Sequence, residues 1–193
     1  MREVRYDQIV EAVARLCQEA NYDLGSDTVN ALRDSLKRET SVVGKDILQQ
    51  ILLNAEIASG ERVPMCQDTG FAVFIIELGQ DCHISGGSLY DAIHEGVRQG
   101  YKEGYLRFSM VEDPLNRVNT GDNTPAIVHV ELVMGDRLTI HMAAKGGGSE
   151  NMSFLRMLAP AEGIEGVKRF VVESVKEAGP NPCPPIVVGV GIG

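Results

Sequence analysis

The chain has 193 residues, of which 44% are hydrophobic and 23% charged, enough for one well-buried domain or two small lobes. Its formal net charge of −9 argues against a nucleic-acid partner, and it means that an anionic substrate must be attracted by local cations. No apolar stretch approaches the roughly 20 residues of a membrane span, and the N-terminus is too acidic for a secretory signal. We therefore expect a cytoplasmic protein whose four cysteines are ligands, nucleophiles or core residues rather than disulfides.

The first part of the chain, residues 1–60, is predicted to be helical. In the first helix, apolar residues recur on one face from Ile9 to Ala20, which assigns Cys17 to the core. Two further helices are expected at about 27–38 and 44–59. The third helix is predicted to face inward through Ile47, Leu48, Ile51, Leu52 and Ala55.

A thiol, an amide and a carboxylate occupy three consecutive positions, Cys66, Gln67 and Asp68. Pro64 stops the preceding helix, and the apolar run 71–76 follows as a strand. An ordinary helix-to-strand loop with a buried free cysteine would have the same composition. This motif alone therefore leaves a structural and a functional interpretation open.

The second half of the chain contains two more unusual segments. One is a glycine triplet, 146–148, which lets a backbone approach a ligand closely or simply makes a tight turn. The other is Cys183, which has a proline on each side. Together with Cys66, they favour a functional site over three unrelated loops.

The remaining elements alternate between helix and strand. A capping-box pattern at Ser88 predicts a helix to about 101, and another helix is expected at about 163–178. The polar stretch 104–125 is predicted to be a functional loop. Strands are expected at about 71–78, 126–133, 137–143 and 186–191, with the middle pair forming a hairpin. The last strand runs into a glycine-rich end, which indicates a piece of a longer subunit.

Five segments now carry a family resemblance over nearly the whole chain. In order they are Cys66-Gln67-Asp68-Thr69-Gly70, Leu106-Arg107-Phe108-Ser109, Asn119-Thr120-Gly121, Lys145-Gly146-Gly147-Gly148-Ser149 and Cys183-Pro184-Pro185. Together they resemble the alpha-type, N-terminal part of the iron–sulfur class I fumarases and the related L-tartrate dehydratases. We expect a mixed α/β fold in which the N-terminal helical group packs beside a mixed β-sheet with flanking helices. It would form one domain over 1–193, with a helical region at 1–60 and sheet and helices at 61–193.

The resemblance implies a [4Fe–4S] cluster held by three cysteines, with one iron open to substrate. Cys66 and Cys183 match two of the ligand motifs. Neither Cys17 nor Cys82 lies in a matching motif, so the third ligand is expected outside this chain.

The resemblance also implies a substrate site beside the cluster. Gln67 and Asp68 would contact the substrate, with Asp68 as general acid. Arg107 would bind a carboxylate as a bidentate fork. The backbone around Gly147 and Gly148 would line the pocket.

The implied function is that of the alpha subunit of a hydro-lyase that interconverts fumarate and (S)-malate, with L-tartrate dehydratase as the alternative. The catalytic base would lie on a beta subunit or C-terminal domain, so the isolated chain is expected to be inactive, and a homo-oligomer is expected. Two hypotheses from other classes remain: an iron–sulfur electron-transfer or sensor module, and a metal-free assembly domain whose cysteines are merely buried.

Overall fold

A computed structural model describes residues 2–183 and 185–193 of the chain, and it confirms the mixed α/β class. The chain divides into two units, Met1–Lys145 and Gly146–Gly193. The first unit contains strands β1 (Arg2–Arg5), β2 (Phe71–Gly79), β3 (Cys82–Ser85), β4 (Ile127–Val133) and β5 (Leu138–Lys145), and helices α1 (Tyr6–Tyr22), α2 (Ser26–Arg38), α3 (Val42–Glu61) and α4 (Leu89–Glu103). The second unit contains α5 (Gly147–Glu150), a 3₁₀ turn (Pro160–Glu162) and α6 (Gly163–Ala178).

The main sheet is built around β2, which lies between β4 and β5. It runs parallel to β4 and antiparallel to β5. The predicted hairpin of the strands at 126–133 and 137–143 is therefore wrong, because β2 separates them. Alternate residues of β2, namely Ala72, Phe74 and Ile76, are fully buried. A strand this apolar gains most at the centre of a sheet, where both of its edges are paired.

Helices α1 and α4 cover the inner face of this sheet and close the core. Gly96 and Gly100 of α4 allow the close approach: a Cβ on Gly96 would lie 2.6 Å from the Val13 side chain, and one on Gly100 would lie 2.6 Å from the Ala14 carbonyl oxygen. Helix α4 begins as predicted, with the Ser88 hydroxyl accepting a hydrogen bond from the Asp91 amide.

Helices α2 and α3 are confirmed, but the inward face predicted for α3 is partly wrong. Ile47 is 51% exposed, and Ala55 is buried. The apolar residues of α3 lie all around the helix, so periodicity could not identify its inner face. The exposed ones include Val42, Val43, Leu53 and Ile57. No helix in the described ranges is long and apolar enough to cross a bilayer.

A small parallel pair, β1 with β3, was not predicted. Each strand has four residues, which is too short for a clear alternation.

In the second unit, α6 is confirmed at the predicted position. The strand predicted at 186–191 is wrong: the described residues 185–193 form no strand, and Val187 is 99% exposed. The run has the right composition for a strand, but a strand also needs a hydrogen-bonding neighbour. No described residue pairs with this run.

Candidate functional site

The backbone just before Cys66 is held on two sides. The Met65 amide donates a hydrogen bond to the Asn21 carbonyl oxygen over 3.0 Å. The Met65 carbonyl oxygen accepts one from the Asn54 side chain over 2.8 Å. Helices α1 and α3 therefore both fix the position at which the Cys66 loop begins.

A second tie joins the start of this loop to the end of α1. Arg62, which has a φ of 54° at the C-cap of α3, donates from Nη1 to Asp23 Oδ2 over 2.7 Å. Its guanidinium carbon also lies 4.8 Å from the centre of the Tyr22 ring. The Ser59 hydroxyl donates to Asp23 Oδ1 over 2.7 Å. These hydrogen bonds from Ser59 and Arg62 lower the pKa of Asp23, so the carboxylate stays ionised and keeps the tie.

Local hydrogen bonds shape the loop that carries Cys66, Gln67 and Asp68. The Cys66 sulfur is exposed and accepts a hydrogen bond from the Asp68 amide over 3.4 Å. Its other neighbour is Gln67, whose Oε1 lies 3.8 Å from the sulfur. Asp68 Oδ1 accepts a hydrogen bond from the Gly70 amide over 3.2 Å, and Asp68 is half-buried. The loop thus presents an accessible thiol next to an oriented carboxylate.

The Arg107 segment lies directly beside this loop. The buried Thr69 hydroxyl donates to the Arg107 carbonyl oxygen over 2.8 Å. The Tyr101 hydroxyl donates to the Thr69 carbonyl oxygen at 3.0 Å and also lies 3.3 Å from the Gly70 carbonyl oxygen. Burial raises the pKa of Tyr101, so its hydroxyl remains a donor. The structure therefore brings together the predicted site segments around Asp68 and Arg107.

The Arg107 side chain itself is exposed. Within the part of the chain that the structure describes, no acidic side chain forms an ion pair with its guanidinium. The N–H groups of the guanidinium are therefore available to an anion, and their geometry suits the bidentate binding of a carboxylate.

Sequence reasoning missed two buried residues that organise this region, Tyr101 and Asn123. Tyr101 lies in the apolar stripe of α4, and its hydroxyl contacts could not be read from that pattern. Asn123 lies in the polar loop 104–125, which is irregular as predicted. Complete burial of one asparagine in a polar stretch leaves no signal in the sequence.

The other predicted site residues lie in the second unit. Cys183 is exposed, with a φ of 59°, and its amide donates to the Pro180 carbonyl oxygen over 3.1 Å. Gly147 and Gly148 form the start of the four-residue helix α5. That these residues share one site with Cys66 stays a prediction.

The four cysteines fall into distinct environments. Cys17 is fully buried, and burial raises the pKa of its thiol to about 12, which confirms its structural assignment. Cys82 is half-buried in β3. Because Cys66 and Cys183 are both exposed, the hypothesis that the two are merely buried core residues is wrong.

The donor chemistry fits an iron–sulfur cluster in part. Cysteine thiolates hold such clusters, and hydrogen bonds to the sulfur atoms change the reduction potential of the cluster. Cys66 has such a bond, from the Asp68 amide. Among the described residues, no three His, Cys, Asp or Glu side chains converge as a metal site. A cluster bound here would therefore need at least one ligand in addition to the described side chains that lie together in this structure.

The protein is an α/β chain with exposed loop thiols, in which the loop that carries Cys66 and Asp68 is hydrogen-bonded to the Arg107 backbone. Residues 10–193 match the family described as fumarate hydratase (Fumerase). The chain therefore belongs to the fumarate hydratase (Fumerase) family.

Curated relatives cover almost the whole of this chain. It is 41% identical over 192 residues to the putative L(+)-tartrate dehydratase subunit alpha of Methanocaldococcus jannaschii, covering 96% of this chain and 67% of the relative. It is 32% identical over 190 residues to the L(+)-tartrate dehydratase subunits alpha of Escherichia coli and Shigella sonnei, covering 96% of this chain and 62% of each relative. The chain thus spans about two thirds of the length of these relatives.

Proposed function

We propose that this chain is the alpha-type part of an iron–sulfur hydro-lyase that reversibly hydrates fumarate to (S)-malate in the cytoplasm. The observation that carries the proposal is the bond from Thr69 to the Arg107 carbonyl, which sets the Asp68 loop beside the Arg107 segment. An acid and a guanidinium on adjoining segments suit the dehydration of a hydroxy-dicarboxylate, which needs a proton for the leaving hydroxyl and a cation for a carboxylate. Membership of the fumarate hydratase (Fumerase) family supports it.

Cys66 and Cys183 would hold a [4Fe–4S] cluster, with the third thiolate supplied from outside this chain. When bound, a cluster with an open iron supplies Lewis acidity toward the hydroxyl and carboxylate of the substrate. The exposure of both thiols supports this assignment, because a ligand must reach the group it binds.

The remaining roles belong to side chains and backbone groups of this chain. Arg107 binds one substrate carboxylate through its planar fork. Asp68 transfers a proton to the leaving hydroxyl during dehydration and takes it back from water during hydration. Gln67 orients the substrate through its amide. The backbone amides of Gly147 and Gly148 line the pocket.

A partner completes the site. The relatives are named as alpha subunits, which supports a beta subunit or a C-terminal domain as the source of the catalytic base and of further carboxylate contacts. The isolated chain is therefore inactive, and the complete enzyme is an oligomer. A redox or sensor module is less favoured because it leaves the unpaired guanidinium of Arg107 without a role.

L(+)-tartrate is the second candidate substrate, since the relatives quoted above are named as tartrate dehydratase subunits. Tartrate has one more hydroxyl than malate, so the choice depends on a donor or acceptor for that group. A site that hydrogen-bonds the extra hydroxyl would strongly reject a substrate without it, because a buried polar group of the protein would then be left unpaired.

The test uses the chain reconstituted anaerobically with its partner subunit and cluster. We expect turnover of malate and fumarate, or of L(+)-tartrate, with kcat/KM deciding between them. Asp68→Asn should lower kcat about 100-fold or more while the absorbance of the cluster persists, because the acid is lost and the cysteines are not. Asp136→Asn, at an exposed turn, is the matched control and should leave kcat unchanged. Near-normal turnover of Asp68→Asn would remove Asp68 from the mechanism.

A further inference from the structure

Asn123 is fully buried in a loop that is otherwise mostly open to solvent. It is 0% exposed, and residues 112–119 just before it are all exposed. Its φ of 60° lies in the left-handed region, which asparagine tolerates better than most residues. A buried amide in this backbone conformation must have its donors and acceptors satisfied inside the protein.

The Asn123 amide makes three hydrogen bonds to two separate segments. Its Oδ1 accepts from the Ser109 amide at 2.6 Å and from the Met110 amide at 3.1 Å. Its Nδ2 donates to the Gly70 carbonyl oxygen at 3.2 Å. One side chain therefore joins the backbone that follows Arg107 to the turn that follows Asp68.

The remaining contacts of this region extend that tie without replacing it. The Thr69 hydroxyl donates to the Arg107 carbonyl oxygen. The Tyr101 hydroxyl contacts the turn at Thr69 and Gly70, and it also interacts with the Asn21 and Asn123 side chains. Among the hydrogen bonds of the described residues, those of Asn123 are the ones that hold Ser109 and Met110 to Gly70. Without them, the Ser109 and Met110 amides lose their partner in a partly buried place, and the Gly70 carbonyl oxygen keeps only the Tyr101 hydroxyl at 3.3 Å. The two segments can then shift apart.

We infer that Asn123 is a positioning residue: its buried amide fixes the Arg107 segment against the turn after Asp68. Its catalytic consequence rests on the proposed function. Asp68 and Arg107 would act on the same substrate. Their separation therefore determines whether Arg107 can bind the substrate carboxylate while Asp68 contacts the leaving hydroxyl. A misplacement of about 1 Å in such an arrangement can lower the rate about 100-fold.

Three substitutions separate positioning from simple stability. Asn123→Gly removes all three side-chain bonds while glycine accepts the positive φ. Asn123→Asp keeps the acceptor for the Ser109 and Met110 amides but loses the donor to Gly70. Asn116→Gly is the matched control, an exposed asparagine in the same loop.

The first measurement is amide hydrogen exchange on this chain. With Asn123→Gly, exchange in peptides covering Ser109 and Met110 should rise about tenfold or more, while exchange in α4 stays unchanged. Asn123→Asp should restore protection of these two amides. Asn116→Gly should behave as the unsubstituted chain. Unchanged exchange in Asn123→Gly, or a uniform rise through the whole unit, would overturn the inference.

The second measurement is kcat and KM of the enzyme reconstituted with its partner and cluster. Asn123→Gly should lower kcat/KM about 100-fold. Gly96→Ala, which strains the packing of α4 against α1, serves as the variant of lowered stability and should keep the normal kcat. If the two variants lose activity in proportion to their stability, the positioning role is refuted. If the unsubstituted enzyme converts none of the three substrates, the proposed function fails, while the exchange measurement still decides whether Asn123 ties the two segments.

Discussion

Arg107 illustrates how one residue can be fixed at its backbone and free at its side chain. Its carbonyl oxygen accepts from the Thr69 hydroxyl, and its guanidinium is exposed. Anchoring the main chain reduces the entropy lost when the side chain binds an anion. The same arrangement gives a direct test, because the charge can be kept while the planar fork is removed.

Arg107→Lys should weaken dicarboxylate binding by about 1.5–3 kcal/mol, because an ammonium cannot form the bidentate pair. The measurement is KM in both directions of the reaction, or the Kd of a non-reacting dicarboxylate. Arg33→Lys, at an exposed position of α2, is the control. An unchanged KM for every substrate would show that Arg107 is an ordinary surface residue.

The thiols offer a test that does not depend on activity. In the metal-free chain, an alkylating reagent should modify Cys66 and Cys183 quickly, because both are exposed. Cys17 should react at least about 100-fold more slowly, because it reacts only after the core opens. Loading the cluster should then protect Cys66 and Cys183 but leave the rate at half-buried Cys82 unchanged. Continued fast labelling of Cys66 in the loaded protein would rule it out as a ligand.

Some residue roles were predictable from the sequence and others were not. Cys17 could be assigned to the core because helical periodicity places it in an apolar stripe, and the structure confirms this. The loop at Cys66 followed from a proline and a glycine around a polar triplet, but the exposure of the thiol did not, because a buried cysteine fits the same residues. The partners of Asn123 could not be foreseen, because its hydrogen bonds join positions 13, 14 and 53 residues away. Long-range pairs of that kind leave no periodic pattern.

At the scale of elements, the helices were predicted well and the pairing of strands was not. Each of the helices α1, α2, α3, α4 and α6 has either a cap residue or an amphipathic repeat that operates over neighbouring residues. Strand partners depend on the whole sheet. Because β4 and β5 are neighbours in sequence, a hairpin was predicted for them, but in the structure β2 lies between them. The apolar run 186–191 shows the same point: its composition suits a strand, but pairing requires a partner.

The contact of α1 with α4 carries the clearest prediction at this scale. In Gly96→Ala, the added Cβ would lie 2.6 Å from the Val13 side chain and 2.8 Å from the Val10 carbonyl oxygen. Overpacking of this kind costs about 1–3 kcal/mol, which exceeds the gain of about 1 kcal/mol that alanine brings to a helix. The urea midpoint should therefore fall.

Gly60→Ala is the matched control, because nothing lies within 4 Å of the added Cβ there. It should leave the urea midpoint unchanged or raise it slightly, through helix propensity alone. The difference between the two variants isolates the cost of packing. Equal midpoints for both would mean that α1 and α4 can separate without loss, contrary to the packing described.

For the whole molecule, the decisive feature is where the core lies. Every residue of the buried core cluster, and every apolar residue packed against it, falls between Val4 and Met142. The second unit contributes its own contacts, such as Arg156 over the ring of Phe170 at 5.1 Å. Since Cys66 and Cys183 are exposed, neither belongs to that core. The first unit therefore has what a self-supporting domain needs, without a metal.

We accordingly expect a fragment of residues 1–145 to fold alone. It keeps the complete core cluster and the antiparallel pairing of β2 with β5, which begins at Phe71 with Lys145. Circular dichroism should show the helices, and urea should unfold the fragment in one cooperative transition that a chelator does not alter. A shorter fragment ending at Gly135 is the control: it lacks β5, so one edge of β2 loses its hydrogen bonds and Leu138, Ile140 and Met142 no longer cover the core. Losing those three partly buried side chains removes several kcal/mol from a total stability of about 5–15 kcal/mol, so this shorter chain should show no cooperative transition. If the fragment 1–145 also unfolds without cooperativity, the first unit depends on residues beyond Lys145, and the placement of the core within it does not suffice for folding.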